Sequence, residues 1–133
     1  VLFGGRVAEE LVFDEVSTGA HNDLTRATDI ARRMVIEYGM SPKFGPLAFE
    51  AKRGSVSLEA GLTAPKEYSE ETAREIDQEV ARIIHETYAR VRDLLTKRRD
   101  DLERLARRLM DKEVVEGEEL RVLLGASPAP YPP

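Results

Sequence analysis

The feature that most constrains the fold is a stretch from residue 69 to residue 109 in which apolar residues recur every three or four positions. This spacing is typical of amphipathic helices that bury one face. Ser69 is a favourable N-cap, and Glu70 and Glu71 follow in the first turn, where the helix dipole favours acidic residues. The polar run TKRRDD interrupts the stripe, so we predict a bend or short break near Arg98 to Asp100 and a further helix beyond it. The predicted buried residues of the long helix are Ala73, Ile76, Val80, Ile83, Ile84, Val91, Leu94 and Leu95.

Two helices are predicted before this stretch and one after it. The first helix runs to about Phe13, and a loop from Asp14 to Ala20 follows. The second helix is predicted to begin near Asn22–Asp23 and to end before Gly39, which fits the left-handed conformation common after helices. The last helix is the segment EELRVLL, which ends at Gly125.

Two glycines and one short extended region modify this helical picture. Gly4 and Gly5 are costly inside a helix, so we expect them to let another backbone approach closely. The runs Leu47–Glu50 and Ser55–Leu58 flank a turn and predict a small β-hairpin. The predicted fold class is therefore mainly α with one small β-hairpin. We assign residues 1–125 to one domain and residues 126–133 to a proline-rich tail.

Composition excludes several classes of function. The chain has no cysteine, which rules out disulfides, thiolate metal sites and cysteine nucleophiles. The net charge of −5 argues against a nucleic-acid partner. Basic residues cluster between residues 97 and 108, but acidic residues alternate with them, so we interpret this region as a solvated face with i,i+4 ion pairs. No apolar run is long enough to span a bilayer.

Asp23 is the residue whose role the sequence leaves open. A carboxylate at a predicted helix start can cap backbone N–H groups, or it can act as a metal ligand. His21 and Asn22 lie beside it and could border such a site, as could Glu10 on the first helix, although an exposed loop histidine and a salt-bridged glutamate are the simpler interpretations. Within this chain we identify no complete set of catalytic residues.

Several blocks taken together are more specific than any single residue. The blocks GGRVAEELVF, VSTGAHNDLTRATDIARRMVIEYGMS, GPLAF and YSEETAREIDQEV occur in this order. Together they resemble the FtsH-type family of membrane-anchored, ATP-dependent zinc metalloproteases, from about Val1 to Leu124. The main departures are Asp14, where the family often has glycine, and Glu59 and Ala60, which replace a glycine-rich pattern.

The resemblance implies a specific metal site. In the family, two histidines of an upstream H-E-x-x-H helix bind zinc, its glutamate is the general base, and the aspartate of a T-G-A-x-N-D block is the third ligand. That aspartate matches Asp23. This chain would therefore be the C-terminal part of a helical zinc metallopeptidase domain and would be inactive alone.

The resemblance also implies an assembly. The parent protein would be a homo-hexamer that degrades unfolded or membrane polypeptides, with an upstream ATP-dependent AAA+ domain. N-terminal segments outside this chain would anchor it in a membrane, and its peptidase domain would lie in the cytoplasm, as in the bacterial type. The fragment itself would be soluble. The alternative is a helical oligomerisation or adaptor-binding module without catalysis, which would lack the upstream H-E-x-x-H segment.

Overall fold

The computed structural model describes residues 1–49 and 68–125. These ranges contain the helices α1 (Phe3–Phe13), α2 (Gly19–Ile36), α3 (Glu70–Lys97), α4 (Arg99–Lys112) and α5 (Gly117–Leu123). The mainly α fold class predicted from the sequence is confirmed.

The predicted β-hairpin is not supported by the described residues, which contain no strand. Leu47–Phe49 form irregular chain, and the Phe49 N–H donates a hydrogen bond to the Ile36 carbonyl at the end of α2 (2.6 Å). The first predicted strand is thus tied to a helix end here. The predicted turn and second strand lie outside the described residues, as does the tail 126–133.

The predicted start of α3 and the break after it are both confirmed. The Ser69 hydroxyl accepts a hydrogen bond from the Thr72 N–H (3.1 Å), which satisfies one of the free donors of the first turn. Helix α3 ends at Lys97, Arg98 leaves the helical conformation with φ −110° and ψ 29°, and α4 begins at Arg99. The polar interruption in the apolar stripe therefore marks a real boundary.

The chain divides into two compact units, residues 1–91 and residues 92–133. The core of the first unit joins Ala31 and Val35 of α2 to Ile76 and Val80 of α3. Around it pack the partly buried residues Ile36, Phe44, Phe49, Tyr68, Ile83 and Ile84. Edge-to-face contacts link Phe44 to Phe49 and Phe49 to Tyr68, with ring centroids 5.2 and 5.7 Å apart. These aromatic contacts fasten the segment after α2 to the core.

A buried polar network borders this core. Glu79 of α3 is only 7% exposed, and its carboxylate accepts hydrogen bonds from the buried Ser41 hydroxyl and from Arg82 Nε (3.0 Å for the latter). The hydrogen bonds from Arg82 and then Ser41 lower the pKa of Glu79, because both stabilise the charged carboxylate more than burial disfavours it. Glu79 thus ties the segment after α2 to α3 through a charged group that is fully paired.

In the second unit, partly buried leucines pack together and charged pairs surround them. Helix α4 packs against α5, and Glu119 of α5 accepts hydrogen bonds from Arg108 and Lys112 of α4. The Arg98 guanidinium donates to the Leu124 carbonyl (2.9 Å). None of the described residues of α4 or α5 is fully buried.

The basic cluster of this unit is paired as the sequence predicted. Lys97 bonds to Asp93 at 2.8 Å and Arg99 to Glu103 at 3.2 Å, both with i,i+4 spacing. Arg98 pairs with Asp101 at i,i+3 spacing. Exposed pairs of this kind contribute little stability individually.

The glycine predictions have opposite outcomes. Apart from the chain neighbours and the helix's own backbone, no described atom lies within 4 Å of a Cβ built on Gly4 or Gly5, so the predicted close backbone approach is wrong for the described part of the chain. Gly39, by contrast, has φ +59°, and a Cβ there would lie 3.3 Å from the Leu47 carbonyl oxygen and the Pro46 Cα. Its left-handed conformation, predicted from the sequence, is confirmed, and it is also the position where two backbone segments approach closely.

Among the described helices, none combines the length and apolar character needed to cross a lipid bilayer.

The end of α1 places a non-glycine residue in a strained conformation. Asp14 has φ 54° and ψ 20°, a left-handed conformation that glycine adopts more readily. We expect Asp14→Gly to raise the free energy of unfolding by about 0.5 kcal/mol and Asp14→Val to lower it by about 1–2 kcal/mol, measured by urea denaturation. Glu15→Val is the control, because Glu15 is exposed and lacks a positive φ. If Asp14→Val and Glu15→Val lower the free energy of unfolding equally, the conformation of Asp14 carries no strain.

The lowered pKa of Glu79 predicts an acid-sensitive core. A carboxyl whose pKa is lower in the folded than in the unfolded state stabilises the fold above its ordinary value of 4.5 and loses that contribution as the pH falls through its folded value. We expect the stability of the wild type to drop below about pH 4.5 more steeply than that of Glu79→Gln, in denaturation series between pH 3 and pH 7. Glu71→Gln, at an exposed position of the same helix, should keep the wild-type slope. If the stability of Glu79→Gln falls with decreasing pH as steeply as that of the wild type, this assignment is contradicted.

Candidate metal centre

The residues singled out by sequence lie on α1, on α2 and in the loop of residues 14–18 between them. Helix α1 packs against α2, with Phe3 and Val7 buried on α1 and Ala20 and Ala27 buried on α2. These apolar residues recur at helical spacing, so each helix has one face fixed against the rest of the first unit. The polar candidate residues lie outside these buried faces.

Helix α2 begins earlier than predicted. It starts at Gly19, not near Asn22–Asp23, and the Ala20 N–H donates to the Ser17 carbonyl (3.2 Å) in its first turn. Asp23 therefore lies one turn inside the helix and does not cap it, so the N-cap interpretation of Asp23 is wrong. The prediction failed because Asn and Asp favour helix starts locally, whereas here Thr18 and Gly19 already adopt the helical path.

The position of Asp23 follows from the buried stripe of α2. It is three residues after Ala20 and four before Ala27, which places it within about 60° of that stripe around the helix axis. Its side chain is accordingly half-buried. Within residues 1–49 and 68–125, no hydrogen bond or ion pair engages its carboxylate. The Asp23 carboxylate is thus partly shielded from solvent and accepts no hydrogen bond from the described residues.

The other candidates do not converge on Asp23. His21 and Asn22 are exposed, and successive helical residues point about 100° apart. Glu10 is engaged elsewhere: its carboxylate accepts a hydrogen bond from Tyr88 of α3 and pairs with Arg6 Nε (3.2 Å). The described residues contain no group of three His, Cys, Asp or Glu side chains that could hold a metal ion.

Asp23 therefore fits a metal as one ligand only. Its charged oxygen is an acceptable zinc donor, and it is free of competing partners among the described residues. A three-ligand zinc site would need two more donors from outside these residues.

Sequence reasoning overlooked the contact that joins α1 to the loop. The Glu9 carboxylate accepts hydrogen bonds from the Ser17 backbone N–H (2.8 Å) and from the Ser17 hydroxyl (2.9 Å). These two bonds, the backbone one first, lower the pKa of Glu9 because they stabilise its charged form. Periodicity gives no signal for this pair, since Glu9 and Ser17 belong to different elements.

Comparisons with known proteins match this region and nearly the whole chain. The pattern of peptidase family M41 matches residues 1–123. The chain is 50% identical over 123 residues to the ATP-dependent zinc metalloprotease FtsH of Pseudothermotoga lettingae, covering 92% of this chain and 20% of that protein. It is 52% identical over 124 residues to the protein of the same name from Bacillus subtilis, again covering 92% and 20%.

The chain spans about a fifth of the length of these curated relatives. The family match covers both helices that position Asp23 and the loop between them. The chain belongs to peptidase family M41, a family of proteases, and the resemblance identified from its sequence blocks is confirmed.

Proposed function

We propose that this chain is the C-terminal part of the peptidase domain of an ATP-dependent zinc metalloendopeptidase, in which Asp23 supplies the third zinc ligand. The observation that carries the proposal is the state of the Asp23 carboxylate. It is half-buried on the first turns of α2, in the block STGAHND, and it has no partner among the described residues. A carboxylate in that state is available to a ligand, whereas a structural carboxylate is usually engaged by a donor.

The remaining parts of the site come from outside the chain. In an upstream H-E-x-x-H segment, two histidines complete the ligand set with Asp23, and the glutamate between them is the general base. When bound, zinc lowers the pKa of its water and polarises the scissile carbonyl. Asp23 contributes one anionic oxygen and holds it on a helix, which is a more rigid support than a loop.

The same proposal extends to the assembly. The parent protein is a homo-hexamer with an upstream AAA+ domain that uses ATP to deliver unfolded or membrane polypeptides to the peptidase domain. N-terminal segments anchor it in a membrane, and the peptidase domain lies on the cytoplasmic side. The relatives are named ATP-dependent zinc metalloproteases, which supports the ATP and zinc requirements.

Asp23→Asn in the full-length parent tests the ligand assignment. An amide binds zinc poorly, so we expect zinc content per subunit to fall and casein hydrolysis to drop by at least about a hundredfold, while ATP hydrolysis persists. Zinc is measured by atomic emission and proteolysis with labelled casein. Asp29→Asn is the matched control, since Asp29 is an exposed aspartate on the same helix. Unchanged zinc content and unchanged proteolysis in Asp23→Asn would refute the assignment.

The isolated 133-residue chain is expected to be inactive. It carries one proposed zinc ligand and no H-E-x-x-H segment, so neither a complete site nor the proposed general base is present. With zinc supplied, its casein hydrolysis should equal that of its own Asp23→Asn variant and of a blank. Hydrolysis at a rate comparable to that of a zinc protease, abolished by Asp23→Asn, would overturn the expectation.

A further inference from the structure

The loop of residues 14–18 has little to hold it in place except one side chain. All five of its residues are exposed, so apolar burial does not fix its path. In the part of the chain that the structure describes, Glu9 provides the only side-chain hydrogen bonds to this loop, both to Ser17. A carboxylate that accepts from a backbone N–H and a hydroxyl of one residue fixes both the position and the rotation of that residue.

Ser17 in turn is the residue on which the first turn of α2 closes. Its carbonyl accepts the hydrogen bond from the Ala20 N–H, and the Thr18 carbonyl accepts the next one from the His21 N–H (3.1 Å). Thr18, the N-cap, makes no side-chain capping bond. The start of α2 is therefore held by the burial of Ala20 and, from outside the helix, by Glu9 of α1 acting through Ser17.

Asp23 lies one turn beyond that start. Helix starts without a cap fray, and fraying of the first turn displaces the residues that follow it. A metal ligand tolerates only about 0.5 Å of displacement from its productive position, and contacts behind the ligand decide whether that tolerance is met.

We infer that Glu9 is a positioning residue for Asp23: by clamping Ser17 it holds the start of α2, and with it the Asp23 carboxylate, in the geometry that a metal requires. The inference rests on the proposed role of Asp23 as a zinc ligand. Glu9 touches neither metal nor substrate in this role, and its neighbour Glu10 does not share it, since Glu10 bonds to Arg6 and Tyr88.

Cobalt binding to the metal-free full-length parent tests the inference, because Co²⁺ replaces zinc and its visible absorption reports ligand geometry. We expect Glu9→Ala to raise the Kd for Co²⁺ by about 10–100-fold and to alter the absorption bands of the bound ion. Glu9→Gln should recover part of the affinity, since its amide oxygen can still accept from the Ser17 N–H. Ser17→Ala, which loses only the hydroxyl bond, should raise the Kd by about fivefold and decides the matter if Glu9→Ala does not fold.

A second measurement, made without metal, reports on the Glu9–Ser17 hydrogen bonds themselves. In hydrogen exchange of the metal-free parent, the Ser17 amide should exchange at least about tenfold faster in Glu9→Ala than in the wild type, because its acceptor is lost. Glu15→Gln, a change at an exposed loop carboxylate, should leave exchange and cobalt affinity unchanged.

Val7→Ala separates positioning from stability. Val7 is fully buried on α1, so its truncation lowers the melting temperature without touching Ser17. The inference is overturned if Val7→Ala lowers the affinity for Co²⁺ as much as Glu9→Ala does. It is also overturned if Glu9→Ala binds Co²⁺ with the wild-type affinity. If the proposed function itself is wrong, a different result is expected: Asp23→Asn then binds Co²⁺ with the wild-type affinity.

Discussion

The contact between Ala31 and Val35 of α2 and Ile76 and Val80 of α3 is the interaction on which the first unit depends. Complete burial of an aliphatic side chain such as Ile76 or Val35 contributes about 1.5–3 kcal/mol. Among the described residues of this unit, few other side chains are buried as completely, so this cluster sets which face of α2 turns inward. The rotation of α2 then places Asp23 at the margin of the buried stripe, where a carboxylate is shielded but not enclosed.

Around this core, polar groups connect the elements without competing with apolar burial. Ser41 and Glu79 lie inside, and every buried side-chain polar atom in the described ranges has a hydrogen-bond partner. Glu9 acts at the surface in the same way, since its carboxylate accepts two hydrogen bonds from Ser17 in the loop before α2. Both glutamates join different elements of the first unit, which restricts how those elements can move independently.

Local signals in the sequence predicted most of the helices. The N-cap at Ser69, the polar interruption at Arg98 and the glycine after α2 each depend on a few neighbouring residues, and each is found in the structure. The start of α2 was misplaced because Asn22 and Asp23 resemble a cap more closely than Thr18 and Gly19 do. The expectation for Gly4 and Gly5 failed because it concerned a partner segment, which no local pattern identifies.

The candidate site, too, could be predicted from the sequence only in part. Asp23 was found through a block of residues that matches a family, and its role as a ligand stays a prediction. Its half-buried state follows from the helical stripe and could be derived from sequence spacing once the helix was known. The Glu9–Ser17 pair could not, because residues eight apart on two elements meet only when the loop between them has folded.

The pairing of α4 with α5 through Arg108, Lys112 and Glu119 has a consequence for how the last unit responds to its surroundings. Ion pairs at a protein surface weaken as dissolved salt screens them, whereas apolar burial does not. Concentrated salt would therefore weaken the charged contribution to the packing of α4 against α5, while the contribution of their partly buried leucines would persist. The stability of this helix pair would then depend modestly on ionic strength, whereas that of the apolar core of the first unit would not.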